Sequence, residues 1–420
     1  MSDMTTIRLL AADGATSDVP LADSGAYARP SAPLRSRVAY AAAHVVPKTH
    51  ADNTPGQPAD IDWDATLAFR RNVYSWGLGV ADAMDTAQRN MGLDAAATRE
   101  LIARSAAVAR EEGGSVVVGV NTDHVDEERI PLTQVIDAYV EQLHFVEEQG
   151  AGPVLMASRH LARVAESRTD YLRVYAAVLQ QATTPVVLHW LGTAFDPQLE
   201  GYFGSSEWRE ASTTLLRIIA ENPGKVAGVK MSLLNAESEI AVREQLPDGV
   251  RMFTGDDFNY VDLIGGDTTR SSSEEHSDET KRGALAADVV SSRPVLSTTG
   301  GHSDALLGAF AAITPVASAA IQALDAGDPA RYLQILGPTE ELSRQVFAAP
   351  TFYYKTGVAF LAWLNGHQPA FQMVGGLHSA RSLPHLSRIV ELANAALALE
   401  DPELARERWH AMLRLNGVEA

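Results

Sequence analysis

The chain has 420 residues, of which 46% are hydrophobic and 21% charged, and its formal net charge is −19. A single core rarely grows past about 300 residues, so one large domain with additions, or two domains, is expected. The negative charge argues against nucleic acid or an anionic membrane as partner; the absence of cysteine excludes disulfides, thiolate metal sites and a cysteine nucleophile, and it suits a reducing cytoplasm.

Residues 1 to 35 read as an arm with little regular structure, given the Gly, Ser and Pro around Ser31-Ala32-Pro33. Met1 to Asp13 lacks a basic segment followed by an apolar run, so no signal peptide is expected. From Val38 on, strand and helix patterns alternate. Val38 to Ala43 is an apolar strand leading to His44, and Asp62 starts a helix. Val80 to Met84 is the second strand, and Asp94 caps a helix that Gly113-Gly114 ends. Ser115 to Val120 is the third strand, followed by an amphipathic helix from Pro131 to Gln149. Pro153 to Ala157 is the fourth. After a helix from Tyr171 to Gln181, Pro185 to Leu188 is the fifth, delivering His189.

A helix from Ser206 to Glu221 leads into Val226-Ala227-Gly228-Val229-Lys230, the sixth strand. Glu237 to Gln245 is a short helix, Val250 to Thr254 the seventh strand and Ala305 to Phe310 the eighth. The charge-free run from Ala305 to Leu324 is broken by Gly308 and Thr314-Pro315, which speaks for a buried strand, a turn and a helix start over a membrane span. Residues 267 to 300 are polar without periodicity and read as a disordered insertion. Four helices, Ala330 to Phe347, Phe352 to Leu364, Leu383 to Leu399 and Pro402 to Leu415, form a C-terminal extension over 326 to 420.

Eight strands, each apolar on both faces and separated by helices, indicate an α/β fold, a (β/α)₈ TIM barrel over 36 to 325. A doubly wound open sheet is the competitor, but no G-x-G-x-x-G follows the first strand. Of five lysines (48, 225, 230, 281 and 355), Lys230 alone ends an apolar strand, at the barrel's catalytic mouth. Desolvation there lowers an amine's pKa and makes it a nucleophile toward carbonyl carbon. The plain alternative is a lysine that snorkels from a strand end to solvent.

These residues resemble the dihydrodipicolinate synthase/N-acetylneuraminate lyase superfamily of lysine-dependent aldolases, most of all a bacterial branch of it without assigned function. Val226 to Lys230 is similar to the Schiff-base strand, and Phe253-Thr254-Gly255-Asp256-Asp257 to the strand after it. Ile61-Asp62-Trp63, Pro185 to His189, and Tyr354 to Ala359 are similar to the first long helix, the fifth strand and a helix packed under the barrel. The resemblance implies a barrel, a small-molecule substrate, a homodimer or homotetramer, and no cofactor or metal. It implies that Lys230 forms an imine and that His189 stands where the superfamily has a proton-relaying tyrosine.

Other matched positions depart from the superfamily. Its Gly-Thr-Thr loop, which holds the carboxylate of a 2-oxo acid, aligns with Asp85-Thr86-Ala87, and its synthase arginine falls at Gly192 to Phe195. Its aromatic segment is Ser158-Arg159-His160 here, and Asp257 aligns with a contact to sugar hydroxyls. These changes favour a polyhydroxylated carbonyl compound over pyruvate. His44, Asp85, Thr86, Asn121, Asp123, Arg159, His160 and Asp257 are the expected substrate-binding set, with Lys230 and His189 catalytic. Two competitors stand beside that reading. One is a metal-dependent sugar isomerase or epimerase using His44, Asp85, Asp123 and His189. The other is a catalytically silent binding protein.

Overall fold

Eight short apolar segments pair side by side, all parallel, and close into a barrel. The structure is a computed structural model that describes residues 5–266 and 301–420. Its barrel strands are β3 (Ala39–Ala42), β4 (Gly79–Asp82), β5 (Val116–Val120), β6 (Gly152–Met156), β7 (Val186–Leu191), β8 (Val226–Ser232), β9 (Arg251–Thr254) and β10 (Asp304–Leu307). They follow chain order around the barrel, and β10 pairs with β3 to close it. Each therefore matches an expected strand, and the helices between them cover the outer face. The expected insertion at 267 to 300 lies outside the described residues. No helix among the described residues is long and apolar enough to cross a membrane.

Side chains alternate along each strand, one facing the barrel axis and the next the helices. On β8, Val229 and Met231 join the main hydrophobic core under the helices. Val117, Val154, Val187 and Phe253 form a separate small cluster. We take that cluster as the plug of the barrel interior, which leaves the strand ends above it for polar groups.

One ion pair ties the first helix to the barrel. The helix Trp63–Ser75 starts at Asp62, whose side chain accepts from the amide of Ala65. It carries Arg70, which is fully buried, as is Asp82 at the end of β4. Arg70 Nε and Nη2 each donate to Asp82 at 2.8 Å, and Nη1 donates to the carbonyls of His44 and Thr66 at 2.8 Å. Ser105 also donates to Asp82. Two charges without water are tolerated only when donors and acceptors are matched this fully.

Two features differ from the sequence reading. The arm contains an antiparallel hairpin, β1 (Thr6–Leu10) with β2 (Thr16–Pro20). It sits on the C-terminal helices: Trp409 Nε1 donates to the carbonyl of Arg8 at 2.6 Å, and Ser387 Oγ accepts from the amide of Leu10 at 2.7 Å. A lone hairpin is marginal in water, so this order depends on helices almost four hundred residues away in the chain, which local composition cannot report. The helix expected over 330 to 347 is two, Pro329–Leu336 and Thr339–Val346, because Pro338 lacks the N–H that would continue the ladder.

The Arg70–Asp82 pair sets a stability test. Arg70→Met leaves a buried carboxylate without its cation and should cost about 3–5 kcal/mol. Urea unfolding checks this, and a loss under about 1 kcal/mol would mean that the pair is dispensable.

Candidate active site

The register of β7 and β8 sets His189 beside Lys230 and Leu191 beside Ser232. With alternation along β8, Gly228, Lys230 and Ser232 share the face opposite Val229 and Met231. Lys230 is 9% exposed. Burial is the largest influence on its amine and lowers the pKa, while the negative charges of Asp85 and then Asp257 oppose that shift. Glycine at 255 is favoured by the close approach of β8: a Cβ there would run into Ser232 Oγ and lie 2.8 Å from the carbonyl of Met231 and 2.9 Å from Lys230 Cε.

Around the amine stand groups able to hold a proton. His189 is buried, with Nε2 3.1 Å from Ser232 Oγ and Nδ1 without a hydrogen-bond partner among the described residues. Burial first, then the charges of Lys230 and Arg89, push its pKa well below the usual 6.5, so the ring is neutral at neutral pH. Asp257 is buried too, and burial raises its pKa against the pull of the Ala309 amide, which donates to Oδ1 at 3.0 Å, and of Lys230. The protonated carboxyl therefore persists to higher pH than in water.

Thr86 Oγ1 lies 2.8 Å from the hydroxyl of Tyr354. Tyr354 is buried, stacked on Phe347 with centroids 4.4 Å apart, and meets Phe195 edge-on. It begins the helix Tyr354–Leu364, which the resemblance set under the barrel. The contact with Thr86, just past the carboxyl end of β4, sets this end of the helix at the mouth instead.

At the rim of the mouth a small cavity of about 20 Å³ opens, lined by Asp85, Arg89, Asp123, Arg159, Phe195 and Asp196, among others. Lys230 is not on its wall; Asp85 is the link, both lining the cavity and acting on the lysine's charge. Arg89 lies 3.7 Å from Asp85 and 3.2 Å from Asp123, and Arg159 donates to Asp196 at 2.6 Å. Asp85 thus pairs with Arg89, while Arg159 takes another acid.

The remaining expected residues divide. Asp85, Asp123 and Arg159 meet at the cavity, Asp257 is with Asp85 one of the two carboxyl groups that act on Lys230, and Thr86 follows Asp85 in the chain. Asn121 turns its side chain to the amide of Asp123, at 2.8 Å. His160 has both ring nitrogens engaged, with Thr122 Oγ1 at 2.7 Å and the carbonyl of Glu127 at 2.9 Å. His44 packs edge-on to Phe69 and meets Gln368 at 3.0 Å, and burial together with the charge of Arg70 pushes its pKa down to about 3. Among the described residues no three His, Asp or Glu converge as a cation ligand set, and His44, Asp85, Asp123 and His189 do not form one.

The sequence pattern of the family described as "Protein of unknown function (DUF993)" matches residues 7–287 and 288–418. The chain belongs to this family. No curated protein matches it. Among solved structures, the DUF993 chain is similar to dihydrodipicolinate synthase from Aquifex aeolicus, at 12% identity and a TM-score of 0.60 over 87% of this chain and 100% of that one. The synthase from Bacteroides thetaiotaomicron gives 14% and 0.59 over 86% and 99%. KD(P)GA from T. tenax gives 14% and 0.52 over 87% and 99%. At such identities the likeness shows the fold alone, a (β/α)₈ barrel like that of these structures.

Residues that the sequence reading missed are Arg89, Asp196, Ser232, Tyr354 and Lys355. Ser232 was within reach, since it lies two residues past Lys230 on the same face of β8. Arg89 was not: it reaches the cavity because Gln88 and Asn90 on either side take left-handed conformations, φ 60° and 58°. Neither residue type announces this as glycine would.

The charge environment of Lys230 makes a pH prediction. Its acylation rate by a small electrophile, followed by peptide mass spectrometry, should reach half its maximum well below the ordinary lysine pKa of 10.5. In Asp85→Asn the ammonium loses its strongest attractive charge, so the midpoint should move lower still. A midpoint at the ordinary value in the native chain would overturn the desolvation argument.

Proposed function

We propose that this DUF993 protein is a lysine-dependent aldolase or related carbon–carbon lyase acting on a polyhydroxylated carbonyl compound, such as a keto sugar or sugar-acid derivative. The single observation that carries the reading is the desolvated amine of Lys230 beside the neutral ring of His189 at the carboxyl ends of β7 and β8. The names of the structural neighbours support it as far as fold goes.

In this reading Lys230 Nζ attacks the substrate's carbonyl carbon. The C–N bond forms, the carbonyl oxygen leaves as water, and an iminium remains. The bond between the α and β carbons then breaks, its electron pair moving toward the iminium nitrogen, while the β-hydroxyl gives up its proton to a base. His189 is suited to that role because its neutral ring accepts the proton and its depressed pKa lets it return the proton afterwards. The enamine is protonated at the α carbon and hydrolysed, which restores the amine. No external oxidant or reductant enters.

Substrate class rests on the acceptors. Asp85 and Asp123 suit hydroxyl groups, which donate to carboxylates, and Asp257, which holds its proton to higher pH, has an O–H of its own to donate to one. A free 2-oxo acid at the Asp85-Thr86-Ala87 turn would find one threonine hydroxyl in place of two, and that hydroxyl is engaged with Tyr354. Loss of one hydrogen bond to a charged group weakens binding by about 1.5–3 kcal/mol. Hydroxyl recognition is therefore favoured over a pyruvate-type carboxylate at this turn.

Borohydride reduction in the presence of the substrate should add its mass to the peptide containing Lys230. Label on another lysine, or none with a compound that turns over, would refute the imine, and efficient trapping of micromolar pyruvate would refute the substrate class. His189→Phe should lower turnover roughly 10²-fold to 10⁴-fold with far less effect on binding. Near-normal turnover in that variant would move the proton relay to another group.

A further inference from the structure

The cavity at the rim of the mouth contains hydrogen-bond donors that the protein itself leaves unused. Arg89 is 7% exposed. Asp85 and Asp123 flank it as charges, yet its Nε and Nη1 make no hydrogen bond. Buried guanidinium donors without acceptors are costly and uncommon. Across the cavity, Asp196 holds Arg159 through Nε, and the two terminal nitrogens of Arg159 make no hydrogen bond to the described residues. Their free edge is the planar fork that matches a carboxylate or a phosphate.

The surroundings hold these groups in place. Gln88 Nε2 donates to the carbonyl of Val374 at 2.7 Å, which anchors the loop before Arg89 to the C-terminal segment. Lys355 adds a third positive charge, acting on Arg159 and on Asp85, and its ammonium lies 2.8 Å from Sδ of Met91, itself on the cavity wall. Three cations thus match the three carboxylates of Asp85, Asp123 and Asp196. An arriving anion meets no net negative charge there and finds free donors on two sides.

We propose that Arg89 and Arg159 form a subsite for an oxyanion, a carboxylate or phosphate carried by the substrate at the end remote from its carbonyl. The inference rests on Lys230 as the carbonyl-binding residue. It extends that reading to an acidic substrate that runs from Lys230 past Asp85 to the rim, with its anionic end on the two arginines. This anion lies away from the Asp85-Thr86-Ala87 turn, where hydroxyl recognition is favoured over a 2-oxo acid carboxylate.

Calorimetric titration of the full chain with inorganic phosphate and with acetate tests the subsite without a known substrate. Saturable binding of one of them is expected, unchanged in Lys230→Ala and weakened about 10-fold or more in Arg159→Met and Arg89→Met. Arg89→Lys keeps the charge and loses the fork; it should weaken binding too, and it guards against a methionine variant that does not fold. Preference for phosphate would mark a phosphorylated substrate, and preference for acetate a sugar acid. Absence of binding by either anion, or binding that survives in folded Arg89→Lys and Arg159→Met, would overturn the proposal. Anion binding that persists while no carbonyl compound is ever trapped on Lys230 would support the subsite and retire the aldolase reading, so the two fail separately.

Discussion

A lysine kept out of water constrains the centre of this molecule. Lys230 lies inside the end of the barrel, where its ammonium is poorly solvated and, among the described residues, Asp85 and then Asp257 oppose the loss of its proton. That placement requires the rest. Glycine at 255 leaves room for Ser232, the Met231 carbonyl and the lysine stem, His189 on the neighbouring strand stays neutral in the field of the amine, and Asp257 holds its proton more tightly because it is buried too. A charge that is costly to bury gives a group whose proton is easily lost, which is the property a nucleophilic amine needs.

The mouth is built from both ends of the chain's helical region. Tyr354 meets Thr86, Gln368 meets His44, and the carbonyl of Val374 accepts from Gln88. Each contact joins a loop at the carboxyl end of a strand to residues beyond the barrel. The C-terminal helices therefore hold the strand-end loops in shape, and the hairpin at the amino end braces those helices in turn. Among the six non-glycine residues with positive φ in the described structure, Ala83, Gln88 and Asn90 fall in the loop after β4. Strain concentrated in one loop persists only where the surroundings enforce it, and here it carries Arg89 and Asp85 to the cavity.

Much of this was legible from local pattern. Strands apolar on both faces, divided by helices, specify a covered parallel sheet, and eight of them specify closure. Lys230 and His189 could be named because period-two alternation and parallel pairing carry adjacent strand ends to one place. Asp85, Asp123 and Arg159 followed from the same logic of strand ends, and the structure brings these three to one cavity.

What the sequence by itself determined is therefore the barrel and the residues its strands deliver, because a repeat of two and an apolar run are local properties. Only the tertiary structure decided which of those residues face a cavity and which are occupied by the protein. His160 spends both nitrogens on a loop and His44 packs against Gln368, while Arg89 keeps donors unused. Partners far apart in the chain set each outcome, as with Thr86 and Tyr354, 268 positions apart. No local pattern encodes such a pairing, since burial and hydrogen-bond satisfaction belong to the packed whole.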